Sequence, residues 1–149
     1  MIYLDNAATT FPKPDCVTAE MNKCIREYCG NPGRSGHVLS LRASEKIYEC
    51  RQTLAAFFGS DKPENVVFTL NTTYALNLAI KSLYTPGSHV LISNMEHNSV
   101  YRPVWELQAR GEVTYDTFNV LQPTDRILAE LRARVTPKTK MLVMLHASN

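Results

Sequence analysis

HVLISNMEHNSVYRPVWELQARGEVTYDTF, residues 89–118, decides the fold because two strand patterns flank a helical one. Residues 89–93 form a short apolar run and residues 113–118 a second strand pattern, whereas residues 100–110 between them have the composition and length of a helix. A strand, a helix and a second strand joined by short turns form a right-handed crossover between parallel strands. This stretch therefore predicts an α/β protein with a parallel sheet.

The alternation of strands and helices continues on both sides of this stretch. Further strands are predicted at residues 65–69 and 140–146, and further helices at 72–83 and 124–134. We therefore expect a three-layer α/β/α arrangement with a mainly parallel sheet.

The first 59 residues carry helix signals of a different kind. Pro14 is suited to begin a helix that runs towards Tyr28. A second amphipathic helix is predicted to begin with Ser40 as its N-cap and to end at Gly59. We expect two parts, 1–39 as an N-terminal arm, helix and glycine-rich loop, and 40–149 as an incomplete large domain.

The composition excludes several classes of protein. The 149 residues are 44% apolar and 20% charged, with a net charge of +2, so neither a nucleic-acid nor a membrane partner is expected. The four cysteines form no CxxC pair and have no accompanying histidine spacing, which favours reduced thiols in the cytoplasm and no metal site.

Polar groups follow three of the predicted strands, and parallel strands bring such groups to one edge of the sheet. Thr72 and Thr73 begin a helix where free N–H groups can bind a phosphate, His97 offers a flat ring, and the amide of Asn149 can donate to an oxygen. Each group taken alone is explained as well by a helix cap or a turn. Together they predict a site for a planar, phosphorylated cofactor.

The glycine-bordered loop at residues 30–37 does not match the phosphate-binding loop patterns. It lacks the Gly-Lys-Ser/Thr ending of a P-loop and follows no predicted strand. Its Arg34 can bind a carboxylate and its His37 can move protons, although surface solvation and turn geometry explain both residues equally well.

Five motifs together resemble the cysteine desulfurase group of class V aminotransferase-like, pyridoxal-phosphate enzymes. They occur in order over the whole chain, as YLDNAATT (3–10), NPGRSGHVLS (31–40), TLNTT (69–73), MEHNS (95–99) and HASN (146–149). The resemblance implies the large domain of a fold-type I transferase with pyridoxal 5'-phosphate as its cofactor. Tyr74 departs from the pattern because many relatives have Glu after the threonine pair.

The resemblance also implies roles for individual residues. The cofactor would be bound by Thr72, Thr73, His97 and Asn149, with the threonines at its phosphate, His97 stacked on its ring and Asn149 at its 3-oxygen. His97 and His37 would be catalytic. The substrate side would contain Arg34, His37, Asn6 and Ala7.

The activity implied by the resemblance is the conversion of L-cysteine to L-alanine with sulfur left as an enzyme-bound persulfide. Such an enzyme serves iron-sulfur cluster assembly in the cytoplasm as a homodimer that passes sulfur to an acceptor protein. The family's Schiff-base lysine has no counterpart in this sequence, so we expect an N-terminal part that is inactive alone. The alternatives are another class V aminotransferase or selenocysteine lyase, and a catalytically inactive truncated product or assembly piece.

Overall fold

The computed structural model describes residues 2–6, 9–34 and 36–147. The contacts divide the chain into two compact units, one extending to Val67 and the other beginning at Phe68. The helices are α1 (Asp15–Lys23), α2 (Val38–Phe57), α3 (Thr72–Leu83), α4 (Asn98–Ala109) and α5 (Thr124–Arg134), and the strands are β1 (Ser88–Ser93), β2 (Val113–Phe118) and β3 (Thr139–Val143). The predicted domain division at residues 39 and 40 lies inside α2 and stays a prediction.

Helix α1 begins one residue after Pro14, as predicted, and it continues into a π-helical turn, Cys24–Tyr28. The buried Tyr28 side chain holds this turn, because its hydroxyl donates a hydrogen bond to the Glu20 carboxylate. That carboxylate raises the pKa of Tyr28 to about 12. The helical segment therefore reaches Tyr28, with a change of helical pitch that the sequence pattern did not indicate.

The prediction that Ser40 caps α2 is wrong. His37 is the N-cap, and its Nδ1 accepts the backbone N–H of Ser40 at 3.2 Å. Ser40 is already inside the helix and buried, and its hydroxyl donates to the Asn31 carbonyl at 2.8 Å. Gly30 packs so closely on this helix start that a Cβ there would lie 2.7 Å from the Leu39 carbonyl carbon.

The end of α2 confirms the sequence prediction. Gly59 has a φ of +72°, the left-handed conformation that favours glycine after a helix, and its N–H donates to the Ala56 carbonyl at 3.1 Å.

The second unit contains a three-stranded parallel sheet in the order β2-β1-β3. The connection from β1 to β2 and the connection from β2 to β3 run in opposite directions across the sheet. Right-handed crossovers therefore place α4 and α5 on opposite faces, which confirms the predicted α/β class with helices flanking a parallel sheet. All six residues of β1 are buried, as expected for a central strand with both faces covered.

The core of this unit lies between the sheet and helices α3 and α4. Val90 and Ile92 of β1 pack against apolar residues of the two helices. The other buried members of the cluster are Ile80, Val100, Val104, Leu107 and Val113. These contacts hold α3 and α4 against the sheet.

The predicted strand at residues 65–69 is absent. Val66 has an extended backbone, with φ −95° and ψ 116°, but no described strand pairs with this segment. Val67 and Phe68 are exposed. An apolar, β-branched sequence favours extended backbone, whereas a strand also requires a neighbouring ladder of hydrogen bonds.

Candidate functional site

The loop after β1 is joined to the exits of both neighbouring strands. On the β2 side, the Asn94 side-chain amide donates to Asn119 Oδ1 at 3.0 Å. The Asn94 Oδ1 accepts the Val120 N–H, also at 3.0 Å. Both bonds are made at the carboxyl ends of the strands, where α/β sheets bind ligands.

The same loop is joined to the exit of β3 by Glu96. Its Oε1 accepts the Ser93 hydroxyl at 2.5 Å and the backbone N–H of Leu145 at 2.6 Å. One carboxylate oxygen thus holds two segments that are distant in sequence. The residue that follows Glu96 is His97, so the position of that imidazole is set by a loop braced on both sides.

His97 is the N-cap of α4. Its Nδ1 accepts the Ser99 backbone N–H at 3.1 Å and lies 3.0 Å from the Ser99 hydroxyl oxygen. Because Nδ1 accepts a hydrogen bond from a backbone N–H, the proton of the neutral ring is on Nε2. His97 is an exposed residue and lines the cavity, so the nitrogen that caps the helix is only one part of a side chain that a ligand can reach.

Helix α3 begins beside this loop with a conventional cap. Asn71 Oδ1 accepts the Tyr74 N–H at 2.8 Å, which leaves the hydroxyls of Thr72 and Thr73 free of any capping role. Within the described parts of the chain, neither hydroxyl has a hydrogen-bond partner. These two groups can therefore donate to a bound molecule.

A cavity of about 390 Å³ lies between the starts of α3 and α4. It is lined by Thr73, Asn77, His97, Asn98, Ser99 and Arg102. Its volume is at the lower end of the range for small-molecule sites, roughly 300–1,000 Å³. The structure therefore brings Thr73 and His97 together, as the sequence predicted.

The electrostatics of this cavity suit an anion. Two helices begin at it, and the N-terminus of each carries partial positive charge. Arg102 adds a full charge, and over the described residues its guanidinium has no ion pair. A hydroxyl, an amide and a guanidinium at the wall of one cavity are the donors that a phosphate group requires.

The other predicted site residues are placed differently. Thr72 stands next to Thr73 but does not line the cavity. Asn149 and Ala7 lie outside the described residues. Asn6, Arg34 and His37 belong to the first unit, so their predicted roles on the substrate side stay predictions.

The sequence analysis assigned no role in the site to six residues that the structure places there: Asn77, Asn94, Glu96, Asn98, Ser99 and Arg102. Asn77 follows Thr73 by four positions, a spacing that places two residues on one helix face, so its presence in the cavity could have been inferred. Asn94 and Glu96 gave no comparable signal, because Asn119, Val120 and Leu145, to which they bond, follow other strands.

The described part of the chain contains neither a metal-binding cluster nor a membrane-spanning helix. No group of three or more His, Cys, Asp or Glu side chains there could hold a metal ion. No helix among those residues has the length and apolar character needed to cross a membrane.

Comparison with known proteins identifies the family. The family model for aminotransferase class-V matches residues 2–149. The chain belongs to this family. A probable cysteine desulfurase of Methanothermobacter thermautotrophicus is 34% identical over 99% of the chain, and the chain spans 36% of that protein's length.

Solved structures support the assignment of the fold. The apo structure of the cysteine desulfurase from Thermococcus onnurineus NA1 superposes on this chain with a TM-score of 0.84 and 28% sequence identity. The match covers 99% of this chain and 37% of the desulfurase chain. A C-DES variant with glycine covalently linked to its pyridoxal-phosphate (PLP) cofactor superposes with a TM-score of 0.63. This match covers 86% of this chain and 32% of the C-DES chain. At 21% identity, the second likeness concerns the fold alone.

The role of Glu96 can be tested by two substitutions. Glu96→Ala removes the acceptor for Ser93 and Leu145, so we expect the free energy of unfolding to fall by ~1–3 kcal/mol. Glu96→Gln retains an oxygen acceptor and should lose less than half as much. Chemical denaturation measures both, and hydrogen exchange should show loss of protection at the Leu145 amide in the Ala variant only. Retained protection in Glu96→Ala would contradict the described bond.

Proposed function

We propose that this chain forms the cofactor-binding part of a pyridoxal-phosphate-dependent cysteine desulfurase, which converts L-cysteine to L-alanine and retains the sulfur as a persulfide. The observation that carries the proposal is the cavity shared by Thr73 and His97 at the carboxyl edge of a parallel sheet. The similarity to proteins named cysteine desulfurase supports the same activity.

The residues around the cavity offer partners for two groups of the cofactor, its phosphate and its ring. Thr73, Asn77 and Arg102 supply uncharged and charged donors for the phosphate, and the starts of α3 and α4 add their dipoles. The exposed His97 ring supplies a stacking surface beside this anion site. When bound, pyridoxal phosphate withdraws electrons from the substrate carbon, which is the chemistry that the protein side chains cannot supply.

In this proposal the His97 ring has a fixed orientation and presents a proton at a known ring nitrogen. Its Nδ1 is engaged by the Ser99 N–H, so the ring cannot turn over without breaking the helix cap. The proton available to a ligand is therefore the one on Nε2. Asn94 and Glu96 hold the loop that positions this ring.

The proposal extends to the remaining sequence predictions. Asn149 donates to the 3-oxygen of the cofactor, and Arg34 and His37 act on the substrate side with Asn6 and Ala7. The parent enzyme is a cytoplasmic homodimer that passes sulfur to an acceptor protein for iron-sulfur cluster assembly.

Two substitutions of His97 separate stacking from capping. Asn is a good N-cap, so His97→Asn should leave the free energy of unfolding within a few tenths of a kcal/mol, whereas His97→Ala should lower it by ~1 kcal/mol. Both variants lose the ring, so both should bind pyridoxal phosphate about 2–10-fold more weakly. Titration followed by absorbance measures the affinity. Unchanged affinity in both variants would remove His97 from the site.

A chimera tests the activity itself. Residues 2–149 of this chain replace the matching segment of the Methanothermobacter relative, and alanine and persulfide are measured after addition of L-cysteine. Alanine formation that falls with the His97→Asn substitution supports the desulfurase proposal. A chimera that binds pyridoxal phosphate but releases alanine only from selenocysteine, or only transfers an amino group, would overturn it.

A further inference from the structure

A network of hydrogen bonds joins helix α5 to the loop that carries His97. It centres on the carboxylate of Glu130, which is bonded to the turn between β2 and α5. Glu130 Oε2 accepts the Asn119 N–H at 3.3 Å and the Gln122 side-chain amide at 2.7 Å. Its Oε1 accepts from Arg134 Nε and Nη2, both at 2.9 Å. Each carboxylate oxygen therefore receives two donors.

Asn119 connects this carboxylate to the loop after β1. Its Oδ1 accepts the side-chain amide of Asn94 at 3.0 Å, and the next residue, Val120, donates its N–H to Asn94 Oδ1 at 3.0 Å. The turn that Glu130 holds from one side thus holds Asn94 on the other. His97 follows three residues after Asn94 in the same loop.

The start of helix α5 does not fix this turn by a side-chain cap. Its N-cap position is Pro123, and among the described residues no side chain bonds to the free N–H groups there. Helices α3 and α4, in contrast, begin with the side-chain caps Asn71 and His97. The bonds from the turn to Glu130, about two helical turns further along α5, take the place of the missing cap.

The charge and burial of Glu130 make these bonds strong. Its side chain is 24% exposed. Burial raises the pKa of this carboxyl group, but the hydrogen bonds from Asn119, Gln122 and Arg134 outweigh burial, so the pKa lies below its ordinary value. Glu130 is therefore a carboxylate at neutral pH, and hydrogen bonds to a charged acceptor are stronger than those between neutral groups.

We propose that Glu130 is a positioning residue for the cavity that contains His97, and that it acts through Asn119 and Asn94. Glu130 does not line this cavity itself. Glu96 joins the loop to the exit of β3, and Glu130 secures the exit of β2, so one carboxylate holds the loop on each side. The inference rests on the proposed function, because it assigns Glu130 a part in the binding of pyridoxal phosphate.

The first measurement uses the whole chain without cofactor. Glu130→Ala removes the acceptor of the Asn119 N–H, so amide hydrogen exchange at Asn119 and Val120 should accelerate by at least about tenfold. The NMR signals of the His97 ring should shift in the same variant. A loss of stability confined to α5 would not move those signals, so they report on positioning.

The second measurement is the affinity for pyridoxal phosphate, followed by absorbance. Glu130→Ala should bind the cofactor about 2–30-fold more weakly, the range of coupling that a contiguous set of contacts transmits. Glu130→Gln retains an oxygen acceptor for the turn and should bind the cofactor more tightly than Glu130→Ala.

Glu106 supplies a matched control. It is also a helical glutamate, and its carboxylate is bonded to two cationic side chains, Lys81 and Arg110. Glu106→Ala removes both ion pairs and should leave the His97 signals and the cofactor affinity unchanged.

The outcomes separate this inference from the proposed function. Unchanged His97 signals in Glu130→Ala, or an equal shift in Glu106→Ala, would overturn the positioning role. If the unsubstituted chain binds no pyridoxal phosphate, the proposed function fails, whereas hydrogen exchange and the His97 signals still decide whether Glu130 positions the ring.

Discussion

Leu91→Ala should lower the free energy of unfolding of the second unit by ~2–5 kcal/mol, the largest stability change expected from a single truncation here. Leu91 lies in the central strand and is 0% exposed. Removing three carbons leaves a cavity that the neighbouring strands and helices can close only partly, because both faces of β1 are covered. Denaturation followed by circular dichroism measures the change.

Leu142 supplies a matched control from the same sheet. It lies directly opposite Leu91 in the register between β1 and β3, yet it is 52% exposed. Leu142→Ala should therefore cost less than ~1 kcal/mol. An equal loss for the two leucines would show that another surface covers Leu142 in solution.

The second large effect is an expected absence of covalent cofactor. Pyridoxal phosphate mixed with this chain and reduced with borohydride should label no lysine stoichiometrically, and the chain alone should release no sulfide from L-cysteine. A lysine that bonds to the cofactor aldehyde must be sheltered and partly neutral. All seven are exposed: Lys13, Lys23, Lys46, Lys62, Lys81, Lys138 and Lys140.

Ion pairing makes two of these lysines still less reactive. Lys46 and Lys81 each lie 2.7 Å from a glutamate oxygen, and the hydrogen bond to Glu49 raises the pKa of Lys46. Peptide mass spectrometry after reduction identifies any modified site, and the chimera described above is the matched control. One fully labelled lysine in this chain would contradict the expectation.

Elements whose signals are local were predicted closely. Helices α3 and α5 and strand β2 have the predicted bounds, because periodicity, turn residues and length all agree there. Strand β3 is shorter than predicted, since its pairing with β1 ends at Val143. The strand expected at residues 65–69 failed because its composition cannot supply a partner strand.

The sequence predicted only those residues of the site that follow from the parallel arrangement of the strands. That rule placed Thr73 and His97 at one edge, and they line one cavity. It could not reveal Arg102, whose contribution depends on where α4 begins, or Glu96, whose partner Leu145 is 49 residues away. Long-range contacts of this kind are set by packing, which no local pattern encodes.

The two histidines chosen for their chemistry illustrate a different limit. His37 and His97 both use Nδ1 to cap a helix, a role usually taken by Ser, Thr, Asp or Asn. Residue preferences alone place such a histidine in the loop and predict that a nearby Ser or Asn caps the helix. The capping role does not exclude a functional one, because in His97 the two roles use different parts of the ring.

The parallel sheet also sets where the protein can be attached to a surface or reporter. The six residues of β1 are separated by five rises of about 3.3 Å, so roughly 17 Å separates its two end residues. The exposed Lys138 precedes β3 at the amino edge, where its carbonyl accepts the His89 N–H at 2.8 Å. A tether or fluorophore carried by Lys138 thus stands a full strand length from any molecule held beside His97, and immobilisation there leaves the cavity accessible.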